Sequence, residues 1–315
     1  MAADPHDFDV SMATGIGWSS RRLREGLVRR VLMAAALLSV ATTIGIVVAL
    51  AVPTVQFFTR VSPVEFLTGT EWTPLFASPH FGVLPLVTAT AVTTFWALLV
   101  ALPLGLGCAA YLSEYAGRRT RKIFKPLLEI LAGVPTVVYG FFALTFLTPL
   151  LRDIWILPGK GPQIYNALSA GLVMGIMIIP TVASLSEDAM SAVPDDLRAG
   201  ARALGSTARQ VTTRVTIPAA LSGIIAATML AVSRAVGETM IVAVAAGGTA
   251  NLSLDPTEPM QTMTAFIAAA ALGDQPTGSI GYQTLFAVGS LLFVITLIMN
   301  IVSIRLVRRY REVYE

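Results

Sequence analysis

The sequence is poor in charged side chains and in residues that form disulfides or bind metals. Only 13% of its 315 residues are charged, against about 25% in a typical soluble domain. Cys108 is the single cysteine, and His6 and His80 are the only histidines. An intrachain disulfide is therefore excluded, and no metal site is expected. The low charge content excludes an ordinary soluble domain.

The sequence also lacks the motifs of nucleotide hydrolysis and of zinc proteolysis. No G-x-x-x-x-G-K-[ST] string occurs, because Gly159-Lys160 has no glycine at the required position upstream. No H-E-x-x-H string occurs either. The string Gly105-Leu106-Gly107 lies in an apolar run, where small residues let helices pack closely. Catalysis within this chain is therefore not expected.

Long apolar runs make up most of the chain. Hydrophobic residues account for 55% of it, and the mean hydropathy is +0.72. A transmembrane helix needs about 20 mostly apolar residues. The runs that meet this length are Val31–Phe58, Val83–Tyr111, Pro126–Leu151, Ala167–Leu185, Ala219–Ala246 and Thr284–Leu306. The sequence therefore predicts an all-α integral membrane protein of about six transmembrane helices.

A shorter apolar segment and two prolines refine this prediction. Met260–Leu272 is too short to span a bilayer, and we expect it to pack as a helix in an external loop. Pro135 and Pro180 are expected to kink the third and fourth spans. The first run ends in Ala49-Leu50-Ala51, which faintly resembles a signal-peptide cleavage site, but the run exceeds the usual signal length and is interpreted as a retained helix.

The basic residues predict the orientation of the spans. Of the 22 Lys and Arg residues, 18 fall in the N-terminal segment, the loops after the second and fourth spans, and the C-terminal tail. Three, Arg60, Arg152 and Lys160, fall in the other loops, and Arg234 lies within the fifth span. This asymmetry predicts that both termini are cytoplasmic. The predicted parts are a cytoplasmic segment 1–30, a transmembrane domain 31–306 with a cytoplasmic loop 187–218, and a cytoplasmic tail 307–315.

The cytoplasmic loop 187–218 has the pattern of two short helices joined by glycine. Asp195 or Asp196 is expected to cap a first helix that runs to Leu204. Gly205 is expected to end it, because glycine readily takes a positive φ. Ser206 is expected to cap the second helix, which leads past Pro218 into the fifth span. Such a helix–glycine–helix elbow would form a compact projection that a partner protein can bind.

This loop resembles the coupling motif of ABC importer permeases, E-A-A-x-x-x-G-x(9)-I-x-L-P. Gly205 aligns with the motif's glycine, and the other matches are Ala201, Val215, Ile217 and Pro218. Two positions depart from the motif: Ala199 stands where the glutamate is expected, and Gly200 stands at the first alanine. The departure at Ala199 removes one acidic anchor to an ATPase subunit. A helix-capping turn without a partner is the plainer interpretation of the same pattern.

Further strings resemble the phosphate-specific permease subunit of type I ABC importers, the PstC type. The strings are Glu71-Trp72-Thr73-Pro74, Tyr111-Leu112-Ser113-Glu114-Tyr115, Gly133-Val134-Pro135-Thr136 and Arg234-Ala235-Val236-Gly237-Glu238-Thr239. The resemblance implies a multi-pass plasma-membrane channel subunit that imports inorganic phosphate and binds no cofactor itself. It also implies a homologous second permease, two ATPase subunits that use ATP and Mg²⁺, and an extracytoplasmic phosphate-binding protein. No nucleic-acid partner is expected.

Arg234 and Glu238 are the predicted substrate-path residues, with Thr239 as a further hydroxyl. An unpaired charge in the middle of an apolar span costs at least ~2.5–3.5 kcal/mol, and the i, i+4 spacing would place the two on one helix face, close enough to pair. In one interpretation the guanidinium binds phosphate oxygens while Glu238 holds it in place. In the other, the pair only locks helices together or closes a gate.

Other functions remain open at this level. An arginine-lined path also suits molybdate, sulfate or phosphonate. A proton- or sodium-coupled transporter that uses Glu238 is disfavoured, because no inverted repeat is evident and the coupling loop would have no explanation. A structural or sensory membrane protein would leave the charges within the spans without a use.

Overall fold

The computed structural model describes residues 18–309, except residues 77 and 157–160. Most of the predicted N-terminal segment, the end of the C-terminal tail and Lys160 therefore lie outside the described residues. Within the described ranges the chain is helical, and Trp72 and Phe81 form an isolated antiparallel bridge. The long helices are α1 (Trp18–Phe58), α3 (Leu84–Ala110), α4 (Arg118–Ala132), α7 (Ala167–Ser191), α11 (Leu221–Val236) and α14 (Ile280–Arg309).

Shorter helices complete the chain between these. They are α2 (Pro63–Thr68), α5 (Thr136–Phe142), α6 (Thr148–Asp153), α8 (Asp195–Ala203), α9 (Ala208–Val211), α10 (Ile217–Ala219), α12 (Met240–Ala245) and α13 (Met263–Leu272). Three π-helical turns, Tyr111–Tyr115, Ala143–Leu147 and Thr212–Thr216, continue α3, α5 and α9. Among the described residues, four helices are long and apolar enough to span a bilayer, and the number rises to as many as six if each of two bent helix pairs counts as one span. The prediction of about six spans is confirmed.

Two of the predicted spans differ from continuous helices. Between α4 and the helices at Thr136–Asp153 the chain bends by 85°. The bend lies between Ala132, where α4 ends, and Pro135, which precedes α5 with an extended ψ of 132° and disfavours a helical conformation in the residue before it. The predicted span Ala219–Ala246 is interrupted between Val236 and Met240. The kink expected at Pro135 is therefore present, whereas the uninterrupted fifth helix expected from hydropathy is wrong.

The chain divides into two units between residues 52 and 53. The first unit contains most of α1, whose apolar side chains are exposed, with Leu37 at 64% and Leu38 at 69%. The hydroxyls of Thr42 and Thr43 donate to carbonyls one turn earlier in the same helix, at 2.8 and 3.0 Å. Both hydroxyls therefore find their hydrogen-bond partners inside the helix, as a hydrocarbon environment requires.

The second unit is built around the close packing of α3 against α7. Met174, Met177 and Ile178 of α7 are fully buried. A Cβ added at Gly175 would lie 2.6 Å from the carbonyl oxygen of Ala97, and one at Gly105 would lie 2.7 Å from the Cβ of Val182. Glycine is therefore required at both positions, as in other tightly packed membrane helices.

A second cluster packs around the loop that follows α1. Phe57, Phe66, Trp72 and Phe266 are buried and meet edge to face, with ring centroids 5.0 to 6.2 Å apart. Phe266 belongs to α13, the short apolar helix that we expected at Met260–Leu272 in an external loop. The helix is present, although it begins at Met263, and its first turn is buried in this aromatic cluster.

Candidate functional site

The predicted elbow in the loop 187–218 is present as α8, a glycine turn and α9. Gly205 has a φ of +82°, and its N–H donates to the carbonyl of Arg202 at 2.9 Å. The N–H of Ser206 donates to the carbonyl of Ala201 at 3.1 Å. These two bonds form the helix-ending motif that requires a left-handed residue, which accounts for the spacing of Ala201 and Gly205.

The predicted caps of the two helices are wrong. Pro194 precedes α8 without a side-chain cap, and the Asp195 carboxylate accepts from Arg198 Nη1 at 2.8 Å instead. Thr207, not Ser206, caps the second helix through a reciprocal box with Gln210. Threonine with glutamine three residues later is the capping-box pattern, so this signal was available in the sequence.

The outer surface of the elbow is open. No residue of α8 is buried, and Leu204 is 89% exposed. Val215 lies in the π-helical turn after α9, and Ile217 and Pro218 begin α10. Ile217 packs against the buried cluster that includes Met190 and Val193. The elbow is thus fixed at its base and exposed at its tip.

A buried carboxylate attaches the elbow to the end of α3. The Glu114 side chain is 3% exposed, and its Oε1 accepts from Arg198 Nε at 3.0 Å and from the Thr216 hydroxyl at 2.9 Å. The same guanidinium donates to the carbonyls of Val193 and Met190 at 2.9 and 2.6 Å. Glu114 therefore joins the first helix of the elbow to the second.

A second buried carboxylate, Glu187, lies near the end of α7. It is 3% exposed and accepts from Lys125 Nζ at 2.9 Å, and Arg121 Nε lies 3.6 Å away. Its other oxygen accepts from the Ser191 hydroxyl at 2.8 Å, and Lys125 also bonds Asp188 at 2.5 Å. Arg121 in addition donates to carbonyls of the turn after α3. Two of the five basic residues near the start of α4 are thus structural.

Arg234 lies in the last turn of α11, half-buried. Its Nη1 donates to the hydroxyl of Thr181, on α7, at 3.1 Å. The phenol of Tyr139 on α5 is within electrostatic reach of the guanidinium and donates to the carbonyl of Leu131 at 3.0 Å. Among the residues that the structure describes, no carboxylate lies within 4 Å of Arg234.

The expected pairing of Arg234 with Glu238 is wrong. The i, i+4 argument assumed one continuous helix, but α11 ends at Val236. Glu238 lies beyond the break, is 9% exposed, and its Oε1 accepts from the N–H groups of Met240 and Ile241 at 3.2 and 3.4 Å. Glu238 therefore caps α12.

The remaining contacts fix the break between α11 and α12. The Thr264 hydroxyl donates to the Glu238 carbonyl at 2.6 Å, and the Thr239 hydroxyl donates to the Gly237 carbonyl at 3.3 Å. The role predicted for Thr239 as a further donor on the path stays a prediction.

Sequence reasoning missed several residues that organise these sites. Thr181, Glu114 and Glu187 each bind a basic side chain that is distant in sequence, namely Arg234, Arg198 and Lys125, so no spacing rule would pair them. A signal existed for Glu114, because a carboxylate so close to a long apolar run is expected to have a partner. No comparable signal pointed to Thr181.

Comparison with known proteins identifies the family. Residues 101–312 match the family model described as the binding-protein-dependent transport system inner membrane component. The chain belongs to this family. It is therefore a multi-pass plasma-membrane protein and a permease subunit of a binding-protein-dependent importer.

Individual relatives agree with this assignment. The probable ABC transporter permease protein YqgH of Bacillus subtilis is 36% identical over 292 residues, 92% of this chain and 91% of YqgH. The phosphate transport system permease protein PstC of Mesorhizobium japonicum is 35% identical over 263 residues, 78% of each chain. The resemblance to PstC-type permeases predicted from the sequence is confirmed.

A solved structure supports the fold alone. A subunit of a bacterial alginate ABC transporter, determined in complex with an alginate pentasaccharide-bound periplasmic protein, superposes with a TM-score of 0.63 at 15% identity. The match covers 92% of this chain and 96% of that one. The all-α permease fold of ABC importers expected from the sequence is confirmed.

Proposed function

We propose that this chain forms half of the membrane channel of an ATP-driven importer of inorganic phosphate. The observation that carries the proposal is Arg234, a half-buried guanidinium that bonds the Thr181 hydroxyl and has no carboxylate partner among the described residues. The similarity to PstC permeases over most of the chain supports phosphate as the cargo.

The chemistry of Arg234 suits a passing oxyanion. A guanidinium has five N–H donors in a planar fork that matches two oxygens of a phosphate. Thr181 takes one of these donors. A neutral hydroxyl holds the side chain without cancelling its charge. An entering anion therefore meets a positive charge that no carboxylate of the described residues neutralises. In a water-poor path this charge attracts more strongly than it would in bulk water.

The partners that we propose follow from the exposed elbow and from the lack of an ATP-binding motif. Two ATPase subunits, which bind ATP and Mg²⁺, would dock on α8 of this chain and on the corresponding helix of a homologous second permease. An extracytoplasmic phosphate-binding protein would deliver the substrate. This chain itself would bind no cofactor. Closure of the ATPase pair would move the elbow and switch the channel between its inward- and outward-facing states.

Labelled phosphate uptake tests this proposal. The chain and its partner subunits would be supplied to cells that lack their own high-affinity system, as the native sequence, as Arg234→Gln and as Arg60→Gln. Arg60 is an exposed arginine in the loop after α1 and serves as the matched control. We expect uptake to fall in Arg234→Gln and to persist in Arg60→Gln, with equal membrane levels of all three proteins.

Competitors and energy sources separate the rival functions. Excess sulfate or molybdate should leave uptake unchanged, whereas competition by either would indicate another oxyanion. A protonophore should not abolish uptake in vesicles that contain ATP, whereas a proton-coupled transporter would stop. Unchanged uptake in Arg234→Gln would remove this residue from the path and leave the pairing of Arg234 with Thr181 as a structural contact.

A further inference from the structure

The first helix of the elbow has a specific attachment to the rest of the chain. No residue of α8 is buried, so apolar packing contributes little to holding it. Arg198, by contrast, is only 11% exposed and bonds the buried carboxylate of Glu114 at 3.0 Å. It also donates to the backbone carbonyls at the end of α7 and in the loop after it. Arg198 is therefore the charged anchor of α8.

One carboxylate oxygen of Glu114 accepts hydrogen bonds from both sides of the elbow. Oε1 accepts from Arg198 in α8 and from Thr216 in the turn after α9. Glu114 itself lies in the π-helical turn that continues α3, and α3 packs closely on α7. Arg198 and Glu114 therefore link α8 to the end of α3 through a charge-assisted bond, which is stronger than a neutral hydrogen bond.

We propose that Glu114 is the positioning residue that makes α8 and the end of α3 move as one body, so that displacement of the elbow reaches the membrane helices. This inference rests on the proposed function insofar as an ATPase displaces α8. Glu114 contacts neither nucleotide nor cargo. Its loss should therefore lower the transport obtained per ATP hydrolysed rather than ATP hydrolysis itself.

The first test compares transport with hydrolysis in the purified complex reconstituted into liposomes. Glu114→Gln keeps the size of the side chain but removes its charge, and Glu129→Gln removes an exposed carboxylate from α4 as the matched control. We expect about a tenfold fall in phosphate uptake per ATP for Glu114→Gln, because its amide oxygen can still accept from Arg198 and Thr216 but no longer carries the charge that strengthens these bonds. Glu129→Gln should match the native protein.

A double variant separates positioning from mere stability. Removing one member of a buried ion pair leaves an uncompensated charge, whereas removing both can be almost neutral for stability. Arg198→Met alone loses the bonds to the Met190 and Val193 carbonyls and leaves the Glu114 charge unpaired, so adding Glu114→Gln should raise the thermal stability above that of Arg198→Met but leave the uptake per ATP low. Restoration of both quantities would overturn the proposal.

A distance measurement tests the same inference without any cargo. Spin labels at Leu204→Cys and Tyr111→Cys, both exposed positions, would report the separation of the elbow from the end of α3 in a Cys108→Ala background. We expect nucleotide to leave this distance unchanged in the native sequence and to alter or broaden it in Glu114→Gln. A second pair, Leu204→Cys with Leu254→Cys, should change with nucleotide in both proteins.

Three results would overturn the inference. The first is a distance between Leu204 and Tyr111 that changes with nucleotide in the native sequence. The second is a distance in Glu114→Gln that responds to nucleotide as it does in the native sequence, and the third is the absence of a nucleotide effect on both label pairs. If the distances behave as expected while native complexes fail to import phosphate, the inference stands and the phosphate proposal alone fails.

Discussion

Replacing Gly105 by alanine should destabilise the protein, and the same replacement two residues later should not. Both glycines lie in α3, and alanine improves helix propensity by up to ~1 kcal/mol at either position. A Cβ at Gly105 would lie 2.7 Å from both Cβ and Cγ1 of Val182, whereas a Cβ at Gly107 meets nothing within 4 Å. Overpacking of this kind typically costs about 1–3 kcal/mol.

The comparison of the two variants isolates this clash, because the propensity gain is common to both. We expect Gly105→Ala to be less stable than Gly107→Ala by about 1–3 kcal/mol. Thermal unfolding of the purified protein in one detergent, followed by tryptophan fluorescence, would measure the difference. Equal melting temperatures would refute the reasoning, since α3 and α7 would then have room for a methyl group at this crossing.

Three further predictions concern the sites. Thr181→Val removes the hydroxyl that binds Arg234. At unchanged expression, this substitution should raise the apparent KM for phosphate about tenfold. An unaltered KM would show that this bond does not position the guanidinium. Glu238→Gln keeps an oxygen for the cap of α12, and its phosphate uptake should be normal. Glu238→Ala lacks that oxygen and should lose about 0.5–2 kcal/mol of stability. An equal loss of uptake in both variants would indicate that the charge of Glu238 is needed. Gly205→Ala strains a residue at φ +82° by about 1–2 kcal/mol and should slow phosphate uptake. Gly200→Ala, in open space on α8, should leave the uptake rate unchanged. Identical uptake rates in the two variants would contradict this prediction.

Apolar run length and local turn chemistry made the spans and the elbow predictable. Hydropathy located α3, α7 and α14 within a few residues, because each needs about the thickness of a bilayer. Gly205 was predictable because a left-handed helix end strongly favours glycine. The π-helical turns and the break after Val236 could not be predicted in this way, because neither feature changes the hydropathy of the sequence.

The site was predictable only in part, because its contacts join distant segments. Arg234 was identified from its charge in an apolar run, but its partner Thr181 is 53 residues away. The helix spacing suggested Glu238 as that partner, and the break between α11 and α12 invalidated the spacing. Glu114 and Arg198 are 84 residues apart, so only the fold brings them together.

The hydrogen bonds that Thr42 and Thr43 make within α1 bear on how the protein is assembled. Both hydroxyls are satisfied by carbonyls four residues earlier, so these side chains need no later helix to shield them from lipid. A segment of this kind is stable in the bilayer as soon as it leaves the insertion machinery. The part of the first span around Thr42 and Thr43 is thus suited to wait in the membrane during synthesis, whereas Thr54 near its end bonds α14, and Arg234 enters with a later segment, after α7 has supplied Thr181.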